Sequence, residues 1–137
     1  MKTILFTLSI LLSGVVLAQN VTNINNIKLD VDIENTFVKT LDTDSNSTSL
    51  IIWIKKSVNS HKHIEHSELI YVIEGEGTMT VDDSEFILSP GDYFRIPENT
   101  FHSLKVTSKT PMKVLSIQSP EFFGKDRVFE EEEKIEK

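Results

Sequence analysis

Apolar residues along the chain come in short runs, each closed by Gly, Pro, Asn, Asp or Ser, and nowhere hold the spacing of a long amphipathic helix. The runs predict strands over 27–33, 37–41, 50–57, 68–74, 77–81, 85–88, 92–96, 101–106 and 113–118. Most alternate with a period of two, as Thr78-Met79-Thr80-Val81 does, which suits a sheet with one face packed and one face wet. Leu50 to Ile54 is apolar throughout, so that strand is expected to be covered on both faces. Asp82-Asp83-Ser84 reads as a hairpin loop, Ser89-Pro90-Gly91-Asp92 as a turn whose glycine supplies a positive φ, and Pro97-Glu98-Asn99-Thr100 as another turn. Strand, turn and strand at this density, with no helices to cover a parallel sheet, predict an all-β antiparallel sandwich or barrel.

The two ends read differently. Lys2 is followed by an apolar run from Ile4 to Leu17 and by the small-residue site Val16-Leu17-Ala18, so residues 1–18 are expected to be a cleavable export signal. That run is shorter than the ~20 apolar residues a spanning helix needs, so no stable membrane anchoring is expected after cleavage. Export makes the expected location secreted or periplasmic. Residues 19–26 form a polar leader, 27–119 the β-domain, and 120–137 an acidic tail ending in a glutamate run read as a solvated, frayed helix.

Charge and cysteine content narrow the field. The chain carries 14 basic and 21 acidic residues, a formal charge of -7 that loss of Lys2 takes to about -8. Its basic residues form no stripe that could track phosphates, so nucleic acid is excluded as a partner. It has no cysteine, hence no disulfide, zinc-thiolate site or cysteine nucleophile, and the core must hold the fold alone.

Three of the four histidines fall within 61–66, and the fourth, His102, follows the Gly91 to Pro97 frame. On a strand His61 and His63 share a face and can grip one ion, with a downstream Glu68 and the distant His102 closing the shell. Imidazoles plus a carboxylate suit one divalent transition metal ion (Mn, Fe, Ni, Zn or Cu) rather than the all-oxygen shells of calcium or magnesium. Glu65 competes with Glu68 on residue type alone, and His66 is expected in the bend between ligands.

The segment His61-x-His63-x4-Glu68-x6-Gly75 resembles the first motif of the cupin superfamily, with Lys55 where the leading glycine is expected. Gly91, Pro97 and His102 resemble the second motif, with Asn99 in place of its inner glycine and Val106 in place of its last asparagine. Asn tolerates the left-handed conformation, so the first of these departures is mild. The resemblance spans about 49–119 and implies a cupin-type, jelly-roll-like double-sheet β-barrel with a metal held by His61, His63, Glu68 and His102. It also favours Glu68 over Glu65, through the offset to Gly75. It further implies a homodimer, which the apolar strand Leu50 to Ile54 also suggests.

Such a shell leaves coordination positions open for a substrate oxygen or dioxygen. His66, Tyr71 and Glu85 are candidates to move protons, and Arg95 could fork onto a substrate carboxylate. Trp53, Tyr71, Phe94 and Phe101 either pack the core or line the barrel mouth. The leading expectation is a metal-dependent enzyme acting on a small oxygenated metabolite, by isomerisation, epimerisation or ring opening of a sugar or uronate. The serine-proline-x-Phe-Phe stretch from Ser119 is similar to the tails of small sugar- and uronate-related cupins, although uronate-ketonising ones commonly carry Gln where this chain has Glu68. An iron-dependent dioxygenase and a non-catalytic metal-containing binding module are the alternatives.

Overall fold

The computed structural model describes residues 21–135, so the export signal expected at 1–18 lies outside the described residues, as do 19, 20, 136 and 137. The strands are β1 (Thr36–Thr43), β2 (Thr48–Ile54), β3 (Ser57–His63), β4 (Ser67–Glu74), β5 (Gly77–Val81), β6 (Ser84–Leu88), β7 (Tyr93–Ile96), β8 (His102–Val106), β9 (Met112–Ser119) and β10 (Arg127–Phe129), followed by one short helix, α1 (Glu130–Ile135). They form two five-stranded sheets, β1-β2-β9-β4-β7 and β10-β3-β8-β5-β6, whose pairings are all antiparallel. The protein is therefore all-β, a double-sheet jelly roll. Among the described residues no helix is long and apolar enough to cross a membrane.

The sheets face each other across a core of Ile54, Ile70, Val72, Met79, Leu88, Ile96, Leu104, Met112 and Val114. Side chains of β2, β4 and β9 alternate between this interior and the outer face of their sheet. A second cluster, built on Ile33, Ile51 and Trp53 with Ile73 and Leu115, lies on that outer face.

The segment expected as a strand over 27–33 forms none, yet its alternation is used. Ile24, Ile27, Leu29 and Ile33 all join the outer cluster. Lys113 ties the segment down: its buried Nζ donates to the carbonyls of Ile24 and Ile27 at 2.7 and 2.8 Å. Period-two apolarity requires one buried face; a ladder requires a strand edge as well, and here side chains and a lysine hold the backbone instead. Residues 24–33 are thus part of the packed domain. Their cover also accounts for the unbroken apolarity of β2, which is satisfied on both faces within one chain.

The expected strand over 50–57 is divided: β2 stops at Ile54 and β3 begins at Ser57. Two turns set the register at the site. Gly75 has φ +82, and a Cβ there would lie 2.7 Å from the Cα of Met112, so only glycine closes the β4–β5 connection against β9. Asn99, where the resemblance expects glycine, has φ 58 and donates its N–H to the carbonyl of His63 at 2.7 Å, which anchors the turn before β8 to the end of β3.

Candidate metal centre

Three imidazoles come from one sheet and the carboxylate from the other. His61 and His63 face inward from β3, and His102 on β8 is the direct cross-strand partner of His61, their rings 4.2 Å apart. Glu68 projects from β4 across the barrel; its Oε2 lies 3.7 Å from His63 Nε2 and 3.5 Å from His102 Nε2. All four residues are buried, and the candidate ligand atoms of the three histidines lie within 4.8 Å of one another.

Hydrogen bonding decides which ring nitrogen each histidine presents. His61 Nδ1 donates to the carbonyl of Asn59 at 2.8 Å, and His102 Nδ1 to that of Thr100 at 3.0 Å. A carbonyl only accepts, so both Nδ1 atoms carry the proton and both Nε2 atoms keep a lone pair. His63 Nδ1 faces the carboxylate of Asp126 at 3.2 Å. Glu68 is held likewise: Oε1 accepts from Ser116 Oγ and from Gln118 Nε2, which leaves Oε2 turned toward the imidazoles.

The donor set fits a transition ion. Nε2 of His63 and Nε2 of His102 are buried with no hydrogen-bond partner, an arrangement that costs about 1–3 kcal/mol per atom when nothing fills it. A transition ion bound between them would satisfy both at once. Electrostatics agree. Burial, then the neighbouring His102, push the His61 pKa down from 6.5 to about 4, so this ring is neutral and ready to ligate at neutral pH. Burial also lowers His63, against the pull of Glu68 and Asp126. For Glu68 burial works upward, but His102, Ser116 and His63 outweigh it and hold the carboxyl down at about 2, fully ionised.

The other sequence candidates are dispersed. Tyr71 and Glu85 are exposed, and so is Glu65, whereas Glu68 is buried beside the imidazoles. Arg95 is exposed and donates to Ser67 Oγ at 2.7 Å. Trp53 is buried in the outer cluster beside Phe37, and Phe101 lies under the Lys62 ammonium at 4.8 Å. Of the four aromatics named from the sequence, only Phe94 lines the barrel cavity. His66 is buried beside the cluster but engages Asp126 and the Glu121 carbonyl, not the ion position.

The residues that sequence reasoning missed are Ser116, Gln118, Phe122 and Asp126. The C-terminal segment brings two of them: Phe122 packs edge-on against His63 and His66, while β10 pairs with β3 so that Arg127 lies opposite His63 and Phe129 opposite His61. Residues 120–137, read as an acidic tail, therefore include a strand and one wall of the site. Behind the cluster lies a cavity of about 70 Å³. His61, Glu68 and His102 stand at its polar end, and apart from Ser103 the rest of its wall is apolar, including Ile54, Val58, Ile70, Met79 and Leu104.

A family model described as a cupin domain matches residues 51–118, the stretch that contributes all four candidate ligands. The chain belongs to the cupin family. Among curated relatives, this cupin is similar to an uncharacterized protein of Methanocaldococcus jannaschii (35% identical over 66 residues, 48% of this chain and 53% of that protein) and to one of Aquifex aeolicus (31% over 96 residues, 70% and 78%). It is also similar to quercetin 2,3-dioxygenase of Bacillus subtilis, 44% identical over 48 residues. That match covers 35% of this chain and 14% of the dioxygenase, so the cupin spans about half of the first relative and a small part of the last. The solved structure of KdgF from Halomonas sp. shares the fold with a TM-score of 0.62, at 23% identity, over 68% of this chain and 86% of that one.

Proposed function

We propose that this cupin is a metal-dependent oxygenase that brings dioxygen and a small, largely apolar substrate to an ion held by His61, His63, Glu68 and His102. The wall of the barrel cavity carries this reading. A sugar or uronate must exchange its hydrogen bonds to water for bonds to protein, and each hydroxyl buried without a partner costs about 1–3 kcal/mol. Beyond the ligands, Ser103 is the one polar residue of the wall, and no cationic side chain lines it to receive a uronate carboxylate. Dioxygen and apolar carbon lose little on entering such a space. The likeness to a dioxygenase over 48 residues supports the same choice, whereas in this cavity a sugar would meet almost no polar wall.

A bound ion would supply Lewis acidity and open coordination positions, and of the ions expected for this donor set zinc has no redox chemistry, which favours manganese, iron, nickel or copper. The chain's own part is to fix three Nε2 lone pairs, to offset the ion's charge with ionised Glu68, and to keep water from the reacting face with an aliphatic wall. The activity is proposed to lie outside the cytoplasm, given the export signal expected at residues 1–18, and in a homodimer; β1, an edge strand with Phe37 and Val38 exposed, is the candidate contact.

The test is dissolved-oxygen consumption by protein loaded separately with each redox-active ion. Aromatic and aliphatic carbonyl compounds would be compared with hexoses and uronates. Consumption with the apolar set, abolished by chelator, is the expected result. Conversion of a sugar with no oxygen uptake would replace the oxygenase by an isomerase, and tight ligand binding without product would make the protein a binding module.

A further inference from the structure

We infer that Asp126, carried onto the barrel mouth by the C-terminal segment, is a positioning residue for the metal centre, holding the His63 ring so that Nε2 faces the ion, with His66 as its clamp. The inference rests on reading His61, His63, Glu68 and His102 as metal ligands. His61 and His102 take their Nδ1 partners from carbonyls two residues upstream, so each carries its own orientation. His63 does not; its Nδ1 partner is a side chain 63 residues away.

Asp126 is itself fixed from several sides. Its carboxylate is 7% exposed, with Oδ1 3.2 Å from His63 Nδ1, while Oδ2 accepts the Glu65 N–H at 3.3 Å and a short contact from His66 Nδ1. Its carbonyl accepts the Ile64 N–H at 3.2 Å. His66 turns its other nitrogen, Nε2, to the Glu121 carbonyl at 2.7 Å. Both of its nitrogens thus face oxygen atoms, and the ring ties Asp126 to the chain at Glu121.

The arrangement has a physical purpose that stability does not supply. A buried polar pair gives back most of its gain in desolvation, so the tie of His66 to Asp126 adds little to folding, but it leaves the carboxylate one place to be. A carboxylate on the far nitrogen of a ligating imidazole fixes the ring and raises its basicity, and loss of such a partner typically costs 10–100-fold in metal affinity.

The test uses the full chain stripped of metal and titrated with cobalt(II) against a competing chelator, with the visible d–d bands recorded. Wild type is expected to bind one equivalent. Asp126→Asn should bind the same single equivalent roughly 10- to 100-fold more weakly with shifted bands, while Asp126→Glu recovers part of the affinity. Thermal unfolding of the metal-free variants reports whether the fold survives. Should Asp126→Asn not fold, His66→Gln, which unties the carboxylate and leaves it present, carries the test through a smaller loss of affinity at unchanged stoichiometry. Wild-type affinity and bands in the folded variants would overturn the positioning role and leave the metal centre standing. A second equivalent that disappears with Asp126→Asn would overturn it too, by making Asp126 a ligand. A wild type that binds no cobalt would remove both readings.

Discussion

A histidine becomes a ligand through what its other nitrogen does, and at this site that bond is a backbone carbonyl for His61 and His102 and a carboxylate for His63. His102→Ala removes an unpartnered Nε2 and should abolish stoichiometric metal binding, whereas His66→Ala should only weaken it. Elemental analysis of the two purified variants checks this, and equal losses would contradict the assignment. The same residues set an acid response in the metal-free protein. His61 titrates at about 4 when folded against 6.5 unfolded, so between these values the unfolded chain takes up a proton that the folded one refuses, and stability falls with pH. Glu68 acts below that window: its contribution is complete above its unfolded value of 4.5 and is lost as pH falls toward about 2. Urea unfolding from neutral pH to about pH 4 should therefore show a loss of roughly 3 kcal/mol from His61 alone, and a flat profile would contradict its neutral, buried state.

At the scale of elements, most strands were legible because their apolar residues alternate, and the exceptions share a cause. β3 reads Ser57-Val58-Asn59-Ser60-His61-Lys62-His63: Val58, His61 and His63 turn inward, a register shift between Val58 and His61 breaks the alternation, and two of the three inward residues are candidate ligands instead of core. β9 is misleading in a second way. Leu115 and Ile117 look like its interior face, yet Ser116 and Gln118 point into the barrel to hold Glu68, while Leu115 joins the outer cluster. Alternation reveals a strand; which face is inside depends on what covers each, and the cover here is the segment 24–33. Turn chemistry was easier to read, since glycine and asparagine mark positive φ wherever the turn falls. Gly75→Ala should destabilise the protein by about 2 kcal/mol or more, combining left-handed strain with the approach to Met112 Cα at 2.7 Å. Gly91→Ala, with φ +99 but open space around it, should suffer the strain alone. Denaturant midpoints of the two variants compare these costs, and an equal loss would remove the packing argument for Gly75.

Across the whole molecule, candidate ligands from opposite sheets meet only when the barrel closes, and the C-terminal segment then completes one wall. The spacing of His61, His63 and Glu68 showed the candidates in plain view. Asp126 gave no such signal, because a lone aspartate in an acidic tail looks like any other solvated charge until β10 is paired with β3. Light scattering on the full chain should return a homodimer; because the outer cluster already covers β2, a monomer would leave the fold and the metal centre untouched. The most direct test of the central claim is anomalous X-ray diffraction from crystals of metal-loaded protein. One transition ion bound by Nε2 of His61, His63 and His102 and by a carboxylate oxygen of Glu68 is the predicted result. An ion ligated elsewhere, for instance by His66 and Asp126, or no bound ion at saturating metal, would contradict it.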